Sequence, residues 1–180
     1  MVESNNSKKV KVVFVGDGAV GKTCLVTAYG ENGFPQKYIP TVAKNFDNKC
    51  EYDGKSVALD IWDTGGQDEF KAVRPLSYNG ADAIVVCFNL VEKVSLTNAC
   101  NKWLDEIKNS GPRNVAKILV GCKSDLRMDE DPNHVSWEDG SKMANDYKFL
   151  SYVECSALLF QHCDTVFSEA VRTAILLENT

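Results

Sequence analysis

The chain has 180 residues, 44% of them hydrophobic and 25% charged, the composition of one soluble globular domain that needs no disulfide or metal staple to hold its core. A net charge of -5 gives no field favouring nucleic acid or an anionic bilayer, so nucleic-acid binding is not expected. The longest wholly apolar run, residues 83–88, is too short to span a membrane, residues 12–15 are too short for a signal peptide, and seven scattered cysteines without a Cys-x-x-Cys pair fit a reducing compartment. The expectation is therefore a cytoplasmic, monomeric protein with one domain over residues 1–180 and a flexible segment at residues 1–8.

In chain order, residues 9–15 read as a buried strand, 16–21 as a glycine-rich turn and 22–29 as the start of a helix. Residues 43–52 and 56–63 read as two antiparallel strands joined through Asp53-Gly54. Apolar runs at 83–88, 117–122 and 151–155 then alternate with amphipathic helical patterns near 96–107, 137–147 and 165–177. Strands alternating with helices imply parallel pairing. The predicted fold is α/β: a six-stranded, mostly parallel sheet with one antiparallel edge strand and helices on both faces.

In such a sheet ligands bind beyond the carboxyl ends of the strands, and four motifs fall there. Residues 16–23, GDGAVGKT, satisfy G-x-x-x-x-G-K-[ST] between a strand and a helix. Its glycines let backbone N–H groups turn toward phosphates, so Gly18, Ala19, Val20, Gly21, Lys22, Thr23 and Cys24 are candidate phosphate contacts. Lys22 would span the terminal phosphates, and the Thr23 hydroxyl would ligate magnesium. Asp63 ends an apolar strand, where its carboxylate can hold magnesium through water. Gly66 follows with an N–H that no side chain shields from a terminal phosphate, and Gln67 stands where an attacking water is oriented. Lys123-Ser124-Asp125 is a short motif whose bland reading is a charged loop. Its sharper reading is guanine recognition, because one carboxylate can accept from both the ring N1–H and the exocyclic amine. Leu126 continues that loop, the Lys123 stem would cover the base, and Ser156-Ala157 would add a backbone N–H for the purine oxygen.

Together these residues resemble the Ras-like small GTPases over about residues 9–177, and further details resemble the Rho branch: GDGA in the phosphate loop, Phe34-Pro35, Tyr38-Ile39-Pro40-Thr41, residues 74–78 (RPLSY) and residues 121–127 (GCKSDLR). The resemblance implies a GTP/GDP switch with Mg2+ that hydrolyses GTP slowly and signals to the actin cytoskeleton. It implies that Phe34 packs beside the guanine, that Thr41 ligates magnesium and senses the terminal phosphate, that Tyr38 closes over it, and that Gln67, with Lys22, Thr41 and Gly66, serves catalysis. It implies as partners a guanine nucleotide exchange factor, an activating protein supplying an arginine finger, and effectors that bind the two switch loops.

The chain departs from the family pattern at Cys122, where most relatives have Asn or Thr, at Gly65 in place of Ala, at Leu158 in place of Lys, and at Ala43-Lys44 in place of Phe-Glu. The stretch before Met143 is shorter than in Rho proteins, so residues 129–135 are expected to be a plain loop instead of that family's extra helix. Residues 177–180 carry no prenylatable cysteine or basic run. Either a natural tail is missing, in which case the inner plasma membrane and a dissociation inhibitor enter the picture, or the protein is not lipid-anchored. Two rivals are a nucleotide kinase, which predicts an acceptor site and an Arg-rich lid, and a catalytically weak GTP-binding interaction module with divergent effectors.

Overall fold

A computed structural model describes residues 9–31, 33–37 and 39–180. Tyr38 and the segment 1–8 lie outside the described residues. The strands are β1 (Val10–Gly16), β2 (Ala43–Tyr52), β3 (Lys55–Thr64), β4 (Ala83–Asn89), β5 (Ala116–Cys122) and β6 (Ser151–Glu154). They lie in the order β2-β3-β1-β4-β5-β6. All neighbours pair parallel except β2 with β3. Asp53 and Gly54 both take positive φ, 50° and 69°, which matches the right-handed twist of the hairpin they close.

Successive residues of a strand face opposite sides, and here both sides are covered. From β1, Val12 and Phe14 pack with Leu25 of α1 (Lys22–Glu31) and Phe167 of α5 (Cys163–Glu178). Val13 and Val15 pack on the other face with Leu96 of α2 (Lys93–Asn98), Ile107 of α3 (Leu104–Ser110) and Ala144 of α4 (Trp137–Asp146). Two covered faces explain why β4 is buried along its whole length, where a one-sided strand would alternate. The start of α4 is locally encoded: the Ser136 hydroxyl accepts from the Asp139 N–H at 3.1 Å, and Glu138 and Asp139 occupy the positive end of the helix.

The sequence pattern near 96–107 predicts one plain helix, and the structure differs there. α2 and α3 form one continuous helical run from 93 to 110, but residues Ala99–Trp103 between them make a π-turn. One inserted residue shifts the helical phase by about 100°, which an apolar stripe of ordinary width absorbs without a visible break. Residues 129–135 carry turns and no helix, as expected from the shortened stretch. Among the described residues no helix is long and apolar enough to cross a membrane. The carboxyl ends of β1, β3, β5 and β6 meet at one rim, where the candidate residues gather.

Candidate functional site

The turn after β1 leads straight into α1, whose first residue is Lys22. Its ammonium is buried and donates to the carbonyls of Gly16 at 2.8 Å and Asp17 at 2.7 Å. Those bonds fix the side chain under the loop and use two of three donors, leaving one for a phosphate oxygen. Burial pulls the Lys22 pKa below its ordinary value, and the Asp63 carboxylate opposes that shift.

Three oxygens converge beside it. The Thr23 hydroxyl donates to Asp63 Oδ2 at 2.6 Å and lies 2.6 Å from the Thr41 hydroxyl. Asp63 is fully buried, and its Oδ1 has no hydrogen-bond partner. Burial pushes its carboxyl pKa up, while the Thr23 hydroxyl and Lys22 pull it down. A buried carboxylate oxygen left without a partner, next to two hydroxyls, fits a magnesium ion, which takes a few hard oxygens from protein and the rest from water and phosphate.

The loop after β3 lies directly on the phosphate loop. A Cβ on Gly66 would sit 2.3 Å from the Gly16 carbonyl oxygen and 2.5 Å from the Gly18 nitrogen, so only glycine permits this approach. Gly65 is equally tight: a Cβ there would meet the Thr41 carbonyl oxygen at 2.2 Å and the Phe70 ring at 2.4 Å. Its N–H donates to the Val42 carbonyl at 2.9 Å. A glycine at this position lets the loop containing Thr41 close against the loop containing Gly66 and Gln67.

A cavity of about 530 Å³ opens between these loops, with Gly18, Lys22, Thr23, Thr41, Gly66 and Gln67 on its walls. A second cavity of about 260 Å³ adjoins it and shares Gly21, Cys24, Phe34 and Lys123. Asp125, Leu126 and Ala157 line the second, as do Cys122, Cys155 and Leu158. Lys123, in the left-handed region at φ 64°, reaches back to donate to the Ala19 carbonyl at 2.8 Å, so its stem spans from one loop to the other.

Two candidates also have side chains engaged elsewhere in the fold. Ser156 is fully buried, its N–H donates to the Gln161 carbonyl at 3.0 Å, and its hydroxyl donates to Asp125 Oδ1 at 2.6 Å. It holds Asp125 in place, while Ala157 lines the smaller cavity. Val20 points its side chain into the core beneath α1, so only its backbone can face a phosphate. Thr27, Glu31 and Lys37 line the larger cavity without any sequence signal to mark them. Arg74 is buried, with its guanidinium paired to Glu106, and is therefore unavailable as a finger. Residues 11–176 match the family model described as the Ras family.

Proposed function

Because the chain belongs to the Ras family of small GTPases, we propose that it is a Rho-type member, a GTP/GDP switch that signals to the actin cytoskeleton from the cytosol. Membership alone carries guanine-nucleotide binding, magnesium, GTP hydrolysis and the general partners of such switches. The observation supporting an intact catalytic set is the meeting of Thr23, Thr41 and Asp63 beside a cavity that Gln67 also lines. The Rho assignment rests on the sequence motifs at residues 16–19, 34–35, 38–41, 74–78 and 121–127.

GTP would lie with guanine in the smaller cavity, against Phe34 and the Lys123 stem, and phosphates in the larger. Asp125 accepts from the base, and the backbone of residues 18–24 with Lys22 holds the phosphates. Magnesium held by Thr23, Thr41 and Asp63 would neutralise charge between the β- and γ-phosphates. Gln67 orients a water for in-line attack on the γ-phosphorus. The bond to the β-phosphate oxygen breaks, the water's proton passes to the departing phosphate, and GDP stays bound. Loss of phosphate removes the partner of Thr41 and Gly66, which releases both switch loops. Exposed Ile39, Val42 and Leu76 give effectors an apolar face, with Lys44 adding positive charge where Rho proteins carry Glu.

The Rho assignment is tested with two activating domains. A Rho-directed domain is expected to accelerate hydrolysis by ~10³-fold or more, and a Ras-directed one to leave it unchanged. The reverse order would contradict the assignment.

Cys122 sits under the phosphate loop: a Cβ on Gly21 would lie 3.2 Å from Cys122 Cβ and 3.7 Å from its Sγ. A thiol is a weak donor and acceptor where the family pattern has an amide or hydroxyl, and one lost neutral hydrogen bond corresponds to roughly 2- to 13-fold faster release. Cys122→Asn is therefore expected to slow GDP dissociation by about that factor, measured with a fluorescent GDP in excess magnesium, without altering hydrolysis. An unchanged or faster off-rate would show that the thiol does not loosen the base site.

A further inference from the structure

The helical run 93–110 grips both loops that flank Gln67. Asp17, in the phosphate loop, has its carboxylate held twice: Asn98 Nδ2 donates to Oδ2 at 2.7 Å and Trp103 Nε1 to Oδ1 at 2.8 Å. These two donors are five residues apart. On an α-helix they would diverge by about 140°. The π-turn over Ala99–Trp103, with its wider i→i+5 winding, brings them to one side so that both can meet a single carboxylate.

Three residues past Trp103, Glu106 grips the other loop. Its carboxylate takes Arg74 in a bidentate pair, Nε to Oε1 at 2.8 Å and Nη2 to Oε2 at 2.7 Å, and accepts from the Tyr78 hydroxyl at 2.6 Å. The remaining guanidinium nitrogen, Nη1, donates to the Gly65 carbonyl at 2.7 Å and the Gln67 carbonyl at 3.3 Å. The guanidinium also lies over the Trp103 ring, 4.5 Å from its centre. Arg74 thus holds the backbone on both sides of Gly66, while Asp17 immediately precedes Gly18. A Cβ on Gly18 would lie 3.7 Å from the Gln67 amide. Gly18 and Gln67 are opposite walls of one space, and each is tied to the same helix.

Stability alone gives weak grounds for such an arrangement, since a buried ion pair is often no better than well-packed apolar side chains. Bidentate geometry does fix direction. We infer that Asn98, Trp103 and Glu106 are positioning residues for GTP hydrolysis, a helical platform that sets Gln67 against the phosphate loop through Arg74 and Asp17. This inference rests on the hydrolase reading above.

Three proteins test it: the parent, Asn98→Ala with Trp103→Phe, and Glu106→Gln. The first pair removes the donors to Asp17 but keeps an aromatic ring under Arg74, so the fold is retained if Glu106→Gln proves unstable. Single-turnover hydrolysis of prebound GTP and dissociation of fluorescent GDP are measured on each, with melting temperature as the control. Hydrolysis is expected to fall ~10- to 100-fold, the scale of a small misplacement at a reacting centre, while GDP release stays within about 2-fold because the base cavity is untouched. Combining all three substitutions should fall short of the product of the separate effects, because both grips set one geometry. Parental hydrolysis in Asn98→Ala with Trp103→Phe, or a loss of hydrolysis matched by equal loss of GDP binding, would overturn the platform. A parent that binds GTP and never hydrolyses it would overturn the hydrolase reading as well, so the two failures are distinct.

Discussion

Gln67→Leu is expected to keep GDP and GTP bound while losing the ~10³- to 10⁵-fold acceleration that an activating protein supplies. Gln67 lines the phosphate cavity but makes no part of the smaller base cavity. Leucine has a similar volume and neither donor nor acceptor, so it fills the space and cannot align a water. Gly18→Val should reach the same result from the opposite wall. A Cβ at Gly18 meets the Gln67 side chain at an ordinary 3.7 Å, but the two further methyls of valine must enter the space where the amide, the water and an incoming finger meet. The measurement is phosphate release from preloaded GTP with and without an activating domain, alongside nucleotide retention on the purified variant. Parental rates in either variant would remove these residues from the hydrolysis step.

Asp125→Asn is expected to change which base the protein prefers. Guanine offers two donors to one carboxylate, and hydrogen bonds to a charged group are worth ~1.5 to 3 kcal/mol each, so their loss should weaken GTP by about 10²- to 10⁴-fold. Xanthosine triphosphate carries a ring carbonyl where guanine has its amine and would accept from the new amide, recovering affinity. The fold should tolerate the change, because an amide oxygen still accepts from the Ser156 hydroxyl that now meets Asp125 at 2.6 Å. Competition binding decides it: GTP still preferred at parental strength would place Asp125 outside the base site.

The parts of this protein that could be read in its sequence are those set by local chemistry. The hairpin at Asp53-Gly54, the phosphate loop entering a helix at Lys22, and the uninterrupted apolar β4 follow respectively from turn residues, a glycine-rich motif and two-sided burial within a short window. The candidate residues at the carboxyl ends of β1, β3 and β5 were legible for the same reason, since each motif sits beside the strand that delivers it. What stayed hidden joins distant positions. Asp17 and Trp103 are separated by 86 residues, and no spacing rule links a carboxylate to an indole so far along the chain. The π-turn was masked by an apolar stripe that reads as an ordinary helix. The bridge from Ser156 to Gln161 and the bond from its hydroxyl to Asp125 likewise join separate parts of the chain that the Ser156-Ala157 dipeptide does not reveal. The crowding at Gly65 also depends on Phe70 and Thr41 together, which a single departure from a family pattern cannot reveal.

The most direct test of the account is single-turnover hydrolysis by the purified chain of 180 residues, loaded with GTP in the presence of magnesium. The account predicts slow release of one phosphate per bound nucleotide, on the order of 10⁻⁴ to 10⁻² s⁻¹, retention of GDP afterwards, and strong acceleration by an activating domain that supplies an arginine. Stable GTP binding with no phosphate released, with or without that domain, would contradict it and identify the chain as a binding module in which Thr41, Gly66 and Gln67 do no chemistry.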